Sequence, residues 1–252
     1  MGQVVDINAK SGQQAANIVY CGHSTVLITS EKGKKIIIDP WLEGNPRCPK
    51  ELQDPGHIDF ILLTHGHSDH AGSAVALAKK YKARVFATYE LAVLLAKEGV
   101  EQGQLEFMNK GGGTFISGTD VLRVDLTNAF HSSSFDAADG NTYYAGEPCG
   151  IVLTLESGRT IYHAGDTCYF SDMSEIGKDF KPDVALIPIG DRFTMGPKAA
   201  AKAVAAIKPR LVIPIHHSTF PLLTGTVDSF QKELRGIECE LLPLEPGEKY
   251  VF

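Results

Sequence analysis

Residues 58–82 read IDFILLTHGHSDHAGSAVALAKKYK, and the reading of this stretch decides the fold. The first seven residues form a nearly continuous apolar run, the pattern of a strand covered on both faces. The last twelve, 71–82, alternate small apolar residues and leucine with Lys79, Lys80 and Lys82, which predicts an amphipathic helix. Between them, His65-Gly66-His67-Ser68-Asp69-His70 packs four candidate metal ligands into six residues. A strand-to-helix loop presents side chains rather than packing them. His65 and His67, two apart in extended chain, point the same way. Asp69 and His70 turn toward a second point as the helix begins. Core packing does not call for three histidines and an aspartate at this density.

Outward from this stretch, strand-length runs recur. NIVYC (17–21), STVLITS (24–30) and KKIIID (34–39) predict an antiparallel opening, with Glu31-Lys32-Gly33 as a hairpin loop and Asp39-Pro40 as a stop. RVFAT (84–88) predicts a strand, YELAVLLAKEG (89–99) a helix ending at glycine, and Gly111–Gly113 a turn. VLRVDL (121–126), GIVLTLES (150–157) and RTIYHAG (159–165) predict further strands. The last third alternates again: strand 183–190, helix 197–208 opened by Pro197, strand 211–215, helix 227–236 and a final strand near 238–244. A strand–loop–helix unit at 58–82 is faintly echoed at 183–208. No composition shift or linker divides residues 1–252, which predicts one layered α/β domain.

The chain has 252 residues and a formal charge of −6, with no run of five like charges. That excludes a basic nucleic-acid arm. No apolar stretch approaches the length of a membrane span, and the first twenty residues carry no apolar signal segment. Gly2 lacks the hydroxyl residue at position 6 that myristoylation uses. The five cysteines, 21, 48, 149, 168 and 239, are odd in number, widely spaced and free of C-x-x-C, so reduced thiols and a cytoplasmic setting are expected.

Six histidines lie outside the cluster. His131 follows a predicted strand, Asp166 sits in His163-Ala164-Gly165-Asp166-Thr167 past another, and His216-His217 follow LVIPI. Layered α/β folds build sites from residues at several strand ends meeting at one rim.

The set His65-x-His67-x-Asp69-His70, His131, Asp166 and His216 resembles the metallo-β-lactamase superfamily, in family order over residues 20 to 220. GHSTVLI (22–28), IIIDPW (36–41), GEPCG (146–150), IPIGDRFTMGP (187–197) and IPIHHSTFP (213–221) resemble its branch of small metal-dependent hydrolases. That branch is similar to ascorbate-6-phosphate lactonase and to N-acylphosphatidylethanolamine phospholipase D type enzymes. The resemblance implies an αββα sandwich with two divalent ions. His65, His67 and His131 would hold one; Asp69, His70 and His216 the other; Asp166 would bridge. Zinc is the first expectation because imidazoles outnumber carboxylates, with manganese, iron or nickel as alternatives.

Asp39 and His23 are expected to orient ligands or line the pocket, and His217 to support from behind, since adjacent extended residues point oppositely. His163 is expected to be structural and His57 a surface residue. Arg192 is a candidate substrate contact. Two dications, two carboxylates and a hydroxide leave about +1 at the site, which favours a small anionic substrate and acidifies bound water. The expected reaction is attack of a metal-bound hydroxide on an ester, lactone or phosphodiester, with Asp69 and Asp166 as the catalytic carboxylates. No nucleic-acid or membrane partner is expected, and a homo-oligomer is left open. Length disfavours a nuclease with an inserted domain and a glyoxalase II. His67 departs from the glutamate of flavodiiron proteins, and Asp69-His70 from secreted β-lactamases. Outside enzymes, the alternative is a non-catalytic metal-binding sensor or scaffold.

Overall fold

The structure is a computed structural model describing residues 14–116 and 122–252. The expectations for the N-terminal stretch and for Val121 lie outside the described residues. In chain order, the first part holds β1 (Asn17–Gly22), β2 (Thr25–Thr29), β3 (Lys35–Ile38), β4 (Phe60–Leu62), α1 (Ser68–Ala71), α2 (Ala74–Tyr81), β5 (Arg84–Thr88), α3 (Tyr89–Lys97) and β6 (Leu105–Met108). The second holds β7 (Gly113–Phe115), β8 (Arg123–Asn128), β9 (Ser134–Asp136), β10 (Thr142–Tyr144), β11 (Cys149–Thr154), β12 (Thr160–His163), α4 (Met173–Phe180), β13 (Val184–Pro188), α5 (Pro197–Ile207), β14 (Leu211–Ile215), α6 (Val227–Glu233), β15 (Glu240–Leu241) and β16 (Lys249–Val251).

Two seven-stranded sheets result, ordered β16-β1-β2-β3-β4-β5-β6 and β15-β14-β13-β12-β11-β8-β7. Along each, antiparallel pairs give way to parallel ones, at β3–β4 in the first and β12–β13 in the second. The period of two along a strand explains the apolar runs. Ile36 and Ile38 face the layer between the sheets, with Ile151, Leu186 and Ile213 from the other side. Ile37 faces outward, under Leu77, Leu91 and Leu95 of α2 and α3. On the other outer face Tyr162, Ala185 and Val212 lie under Met173, Val204 and Phe230 of α4, α5 and α6. The architecture is therefore the expected αββα sandwich.

The echo between 58–82 and 183–208 is a topological equivalence. Each half runs strand, loop, helix, parallel strand. Asp59 accepts the Lys35 N–H at 2.9 Å before β4, and Asp183 accepts the Thr160 N–H at 2.8 Å before β13.

Several boundaries differ from expectation. The helix expected over 71–82 is broken: α1 ends at Ala71, Ser73 N–H turns to the Pro40 carbonyl, and α2 begins at Ala74. The strand expected near 238–244 shrinks to β15, and α6 ends at Glu233. Gly113 starts β7 instead of closing a turn. Sequence reading missed α4, whose Met173, Ile176 and Phe180 share a face against α5. Gly177 permits that approach, because a Cβ there would stand 2.2 Å from the Ile207 carbonyl oxygen. It also missed β16, which carries the C-terminal segment back to the β1 edge.

Candidate metal centre

Six segments reach one rim of the sandwich: the β1–β2 turn with His23, the end of β3 with Asp39, the β4–α1 loop with His65 to His70, and the exits of β8, β12 and β14 with His131, Asp166 and His216. The turns are tight. Gly66 lies where a Cβ would meet the Ser134 carbonyl oxygen at 2.7 Å. His23, Asp39 and His216 all have left-handed backbones, with φ of 58°, 48° and 54°. Strain of this kind collects at functional sites.

The candidate ligands converge in two groups. Ligand atoms of His65, His67 and His131 lie within 4.8 Å of one another, as do those of His23, Asp69, His70 and His216. Asp166 stands between. Its Oδ1 is 3.3 Å from His70 Nε2; its Oδ2 is 3.1 Å from His216 Nε2 and 3.5 Å from His131 Nε2.

Partners behind the rim fix the ring tautomers. Asp39, fully buried, accepts the Thr64 N–H at 2.8 Å through Oδ1, and the Thr64 hydroxyl at 2.6 Å and His70 Nδ1–H at 2.8 Å through Oδ2. Thr64 Oγ1, its proton spent on Asp39, accepts from His65 Nδ1–H at 3.0 Å. His65 thus keeps its Nε2 lone pair for the site, and both rings turn Nε2 toward it, the orientation that metal-binding histidines take from such partners.

Burial and charge reinforce this arrangement. Burial works against an ionised Asp39, but His70, by its charge and its hydrogen bond, together with His163 and His65, outweighs burial and holds the carboxyl below its ordinary range. Burial likewise opposes a charge on His70, yet Asp166 and Asp39 together hold it well above the ordinary value. His65, His67 and His131 are lowered by burial and are neutral at pH 7. Asp166 resists its burial because His216 and His70 hold it well below the carboxylate range. Burial lowers His23 to about 4.

This donor set fits divalent cations. It offers imidazole nitrogens and ionised carboxylates around two points, and the buried His70 Nε2 and Asp166 Oδ1 face each other at 3.3 Å with no other partner among the described residues.

Above the centre opens a cavity of about 530 Å³. Asp69, His131, Asp166 and His216 form its floor; Trp41, Phe193, Phe220 and Leu222 form an apolar mouth. Trp41 stacks on Phe220 with ring centroids 5.8 Å apart.

Two expected contributors stand elsewhere. Arg192 lies over the Phe193 ring and does not line the cavity. A left-handed backbone at Asp191 and Arg192 turns it outward. The His217 ring reaches Ser218 Oγ at 3.0 Å and no candidate ligand. His217 contributes only its carbonyl, which the Thr219 hydroxyl reaches at 3.2 Å. His163 is structural: Nε2 donates to the Ser24 carbonyl at 2.9 Å and Nδ1 accepts the Gly165 N–H at 3.1 Å, bracing the turn that carries Asp166. His57 is exposed beside Asp59. Sequence reading gave no role to Thr64 or Thr219; hydroxyls beside ligand histidines were the available signal.

An αββα sandwich with this histidine and aspartate set at one rim defines a metallo-hydrolase of the β-lactamase fold. Comparison with known proteins agrees. The beta-lactamase superfamily domain matches residues 34–217. A UPF0173 metal-dependent hydrolase of Rubrobacter xylanophilus is 44% identical over 92% of this chain and 95% of its own. Another, from Anoxybacillus flavithermus, is 48% identical over 87% of this chain and 94% of its own. Among solved structures, the metallo hydrolase Igni18 of Ignicoccus hospitalis superposes with a TM-score of 0.83 at 32% identity, covering 95% of this chain and 99% of that one. The chain belongs to the UPF0173 metal-dependent hydrolases of the beta-lactamase superfamily. No helix among the described residues is long and apolar enough to cross a membrane.

Proposed function

We propose that this metal-dependent hydrolase holds two divalent cations, zinc first, and cleaves an ester or lactone bond in a small molecule that carries an apolar group. His65, His67 and His131 would hold one cation, Asp69, His70 and His216 the other, and Asp166 both. The observation that carries the substrate class is the apolar mouth of Trp41, Phe193, Phe220 and Leu222 over a floor of ligand residues. No lysine or arginine lines that cavity among the described residues. Asp39 adds a buried negative charge behind His70. The net charge of a loaded site is then closer to zero than the +1 reached without Asp39, which weakens the expected preference for anions. A phosphodiester is the second substrate class, because the same ligand set suits a phosphoryl centre.

When bound, such cations supply Lewis acidity and lower the pKa of water. The chain's residues do the rest. Asp69 has one oxygen held by His23 Nε2 at 3.1 Å, and its other oxygen serves to orient water or accept its proton. An apolar substrate group seated in the mouth would displace water from the floor and strengthen electrostatic interactions there. No serine or cysteine is assigned as nucleophile.

The test is turnover of p-nitrophenyl esters of increasing chain length, alkyl-substituted lactones and bis-p-nitrophenyl phosphate, with and without chelator. Ester or lactone turnover that rises with chain length and stops with chelator is expected. Chelator-resistant turnover, or a covalent acyl-enzyme in the mass spectrum, would refute the mechanism. Turnover confined to the phosphodiester would refute the substrate class.

A further inference from the structure

His23 touches more of the centre than any residue that is not an expected ligand. Its ring is fully buried at the β1–β2 turn. Nε2 lies 3.1 Å from Asp69 Oδ2, and Nδ1 lies 2.9 Å from Thr219 Oγ1. Its carbonyl oxygen accepts the His216 N–H at 2.7 Å and the Tyr20 hydroxyl at 2.9 Å. One residue therefore grips Asp69, from the first half of the chain, through its ring, and His216, from the second half, through its backbone.

The proton count settles how the ring is used. Two arrangements are open. In one, Thr219 gives its proton to the His217 carbonyl at 3.2 Å and accepts from His23 Nδ1–H. Nε2 is then a bare lone pair facing a carboxylate oxygen, two acceptors with nothing between them unless a cation enters. In the other, Nε2–H donates to Asp69, Nδ1 is the lone pair, and the Thr219 hydroxyl caps it. A hydrogen bond to an ionised carboxylate is about twice as strong as a neutral one, so the second arrangement wins. It forgoes only the longer contact to His217.

We infer that Thr219 and His23 form a positioning pair that holds Asp69 Oδ2, the oxygen 4.0 Å from His216 Nε2, toward the cation shared with His70 and His216. The inference rests on the reading of these three as ligands of one cation. It assigns a function to Thr219, which lies three residues beyond His216 in the loop after β14. It also gives His23 a donor role and not a ligand role, although its Nε2 lies within ligand distance of that group. The left-handed backbone of His23 is what turns both its ring and its carbonyl toward the rim.

The experiment measures metal affinity by chelator competition, and the visible spectrum of the cobalt-substituted protein, without any substrate. The variants are His23→Ala, His23→Gln, Thr219→Val and Thr219→Ser. Gln keeps a donor to Asp69 but offers a poor metal ligand; Val keeps the volume of threonine without its hydroxyl; Ser restores the hydroxyl. His23→Ala should weaken one of the two cations roughly 10–100-fold and leave the other unchanged, as loss of an orienting partner does. Thr219→Val should weaken the same cation by a smaller factor and shift the same cobalt band, and Thr219→Ser should restore both. His23→Gln should retain most of the affinity. A His23→Gln loss equal to that of His23→Ala would make His23 a ligand and overturn the inference. So would equal losses at both cations, or unchanged affinity in His23→Ala. Failure of the underlying ligand reading shows separately, as full metal content in His70→Ala and His216→Ala.

Discussion

Asp39→Asn keeps the shape of a buried side chain and removes one acceptor oxygen and the charge. The carboxylate serves three donors: Thr64 N–H on Oδ1, and Thr64 hydroxyl and His70 Nδ1–H on Oδ2. Asparagine has a single oxygen. With that oxygen at the Oδ1 position, its NH2 faces His70 Nδ1, and the ring must move its proton to Nε2, the nitrogen beside Asp166. With the oxygen at Oδ2, the NH2 confronts the Thr64 N–H. The second orientation strands a buried donor, at a cost of about 1–3 kcal/mol. The first removes the lone pair a cation needs. The substitution should therefore lower affinity for the cation at His70 roughly 10–100-fold. A loss of ~2 kcal/mol in a chain of this size lowers the thermal midpoint by roughly 4–8 °C. Chelator competition reads the first effect and calorimetry of the metal-free protein the second. Full metal affinity together with an unchanged midpoint would refute the role of Asp39 in setting the His70 tautomer.

Metal analysis of single variants should divide the centre: His65→Ala, His67→Ala and His131→Ala each weaken one cation, His70→Ala and His216→Ala the other, Asp166→Ala both, and His57→Ala neither. A stoichiometry of one in the unaltered protein, unchanged on adding metal, would sink the two-cation reading. At the opposite end of the sandwich Glu156 faces Glu31; burial first, then Glu31, raise the Glu156 carboxyl above 4.5. Burial also opposes an ionised Glu31, but hydrogen bonds from Glu156 and Ser157 outweigh it and lower Glu31, so its own contribution is lost only below 4.5. The stability tied to the Glu156 proton is present below 4.5 and is lost as pH rises through the raised value. Denaturation from pH 4 to 8 should therefore show Glu156→Gln gaining on the unaltered protein as pH rises; a constant difference would contradict the raised Glu156 carboxyl. Trp41, the single tryptophan, lines the mouth, so its fluorescence should change on adding an alkyl lactone, and Phe220→Ala should raise KM for long-chain esters while metal content stays fixed.

The legible part of the centre was the part built from unusual residue types at strand ends. His65, His67, Asp69, His70, His131, Asp166 and His216 are conspicuous because few other roles need them where they stand, and the structure brings them to one rim. The sandwich was legible because strands such as Ile36–Ile38 are apolar on both faces. What stayed hidden depends on contacts between distant segments. Thr64 and Thr219 are ordinary residues until a ring nitrogen faces them. The apolar run LVIPI predicts an extended path through His217, but the left-handed turn at His216 sets the chain on another course. The split between α1 and α2 depends on a hydrogen bond from Ser73 to Pro40, more than thirty residues away in sequence. α4 was missed because Gly177 lowers helix propensity while serving close packing against Ile207.

The division of the ligand residues between the two halves has a consequence for how the protein matures. His65 to His70 leave the first sheet; His131, Asp166 and His216 leave the second. In the proposed two-cation centre neither half alone would offer a complete pair of sites, so tight binding would require that the sheets have already closed on each other. Cations held in this way would act late, as a lock on a finished product and not as a nucleus for its assembly. Ions that bind the native state alone add to stability by mass action. Because the proposed ligands span both sheets, that stabilisation should fall on the unfolding rate, while strand pairings distant in sequence, such as β16 with β1, should govern refolding of the chelated chain.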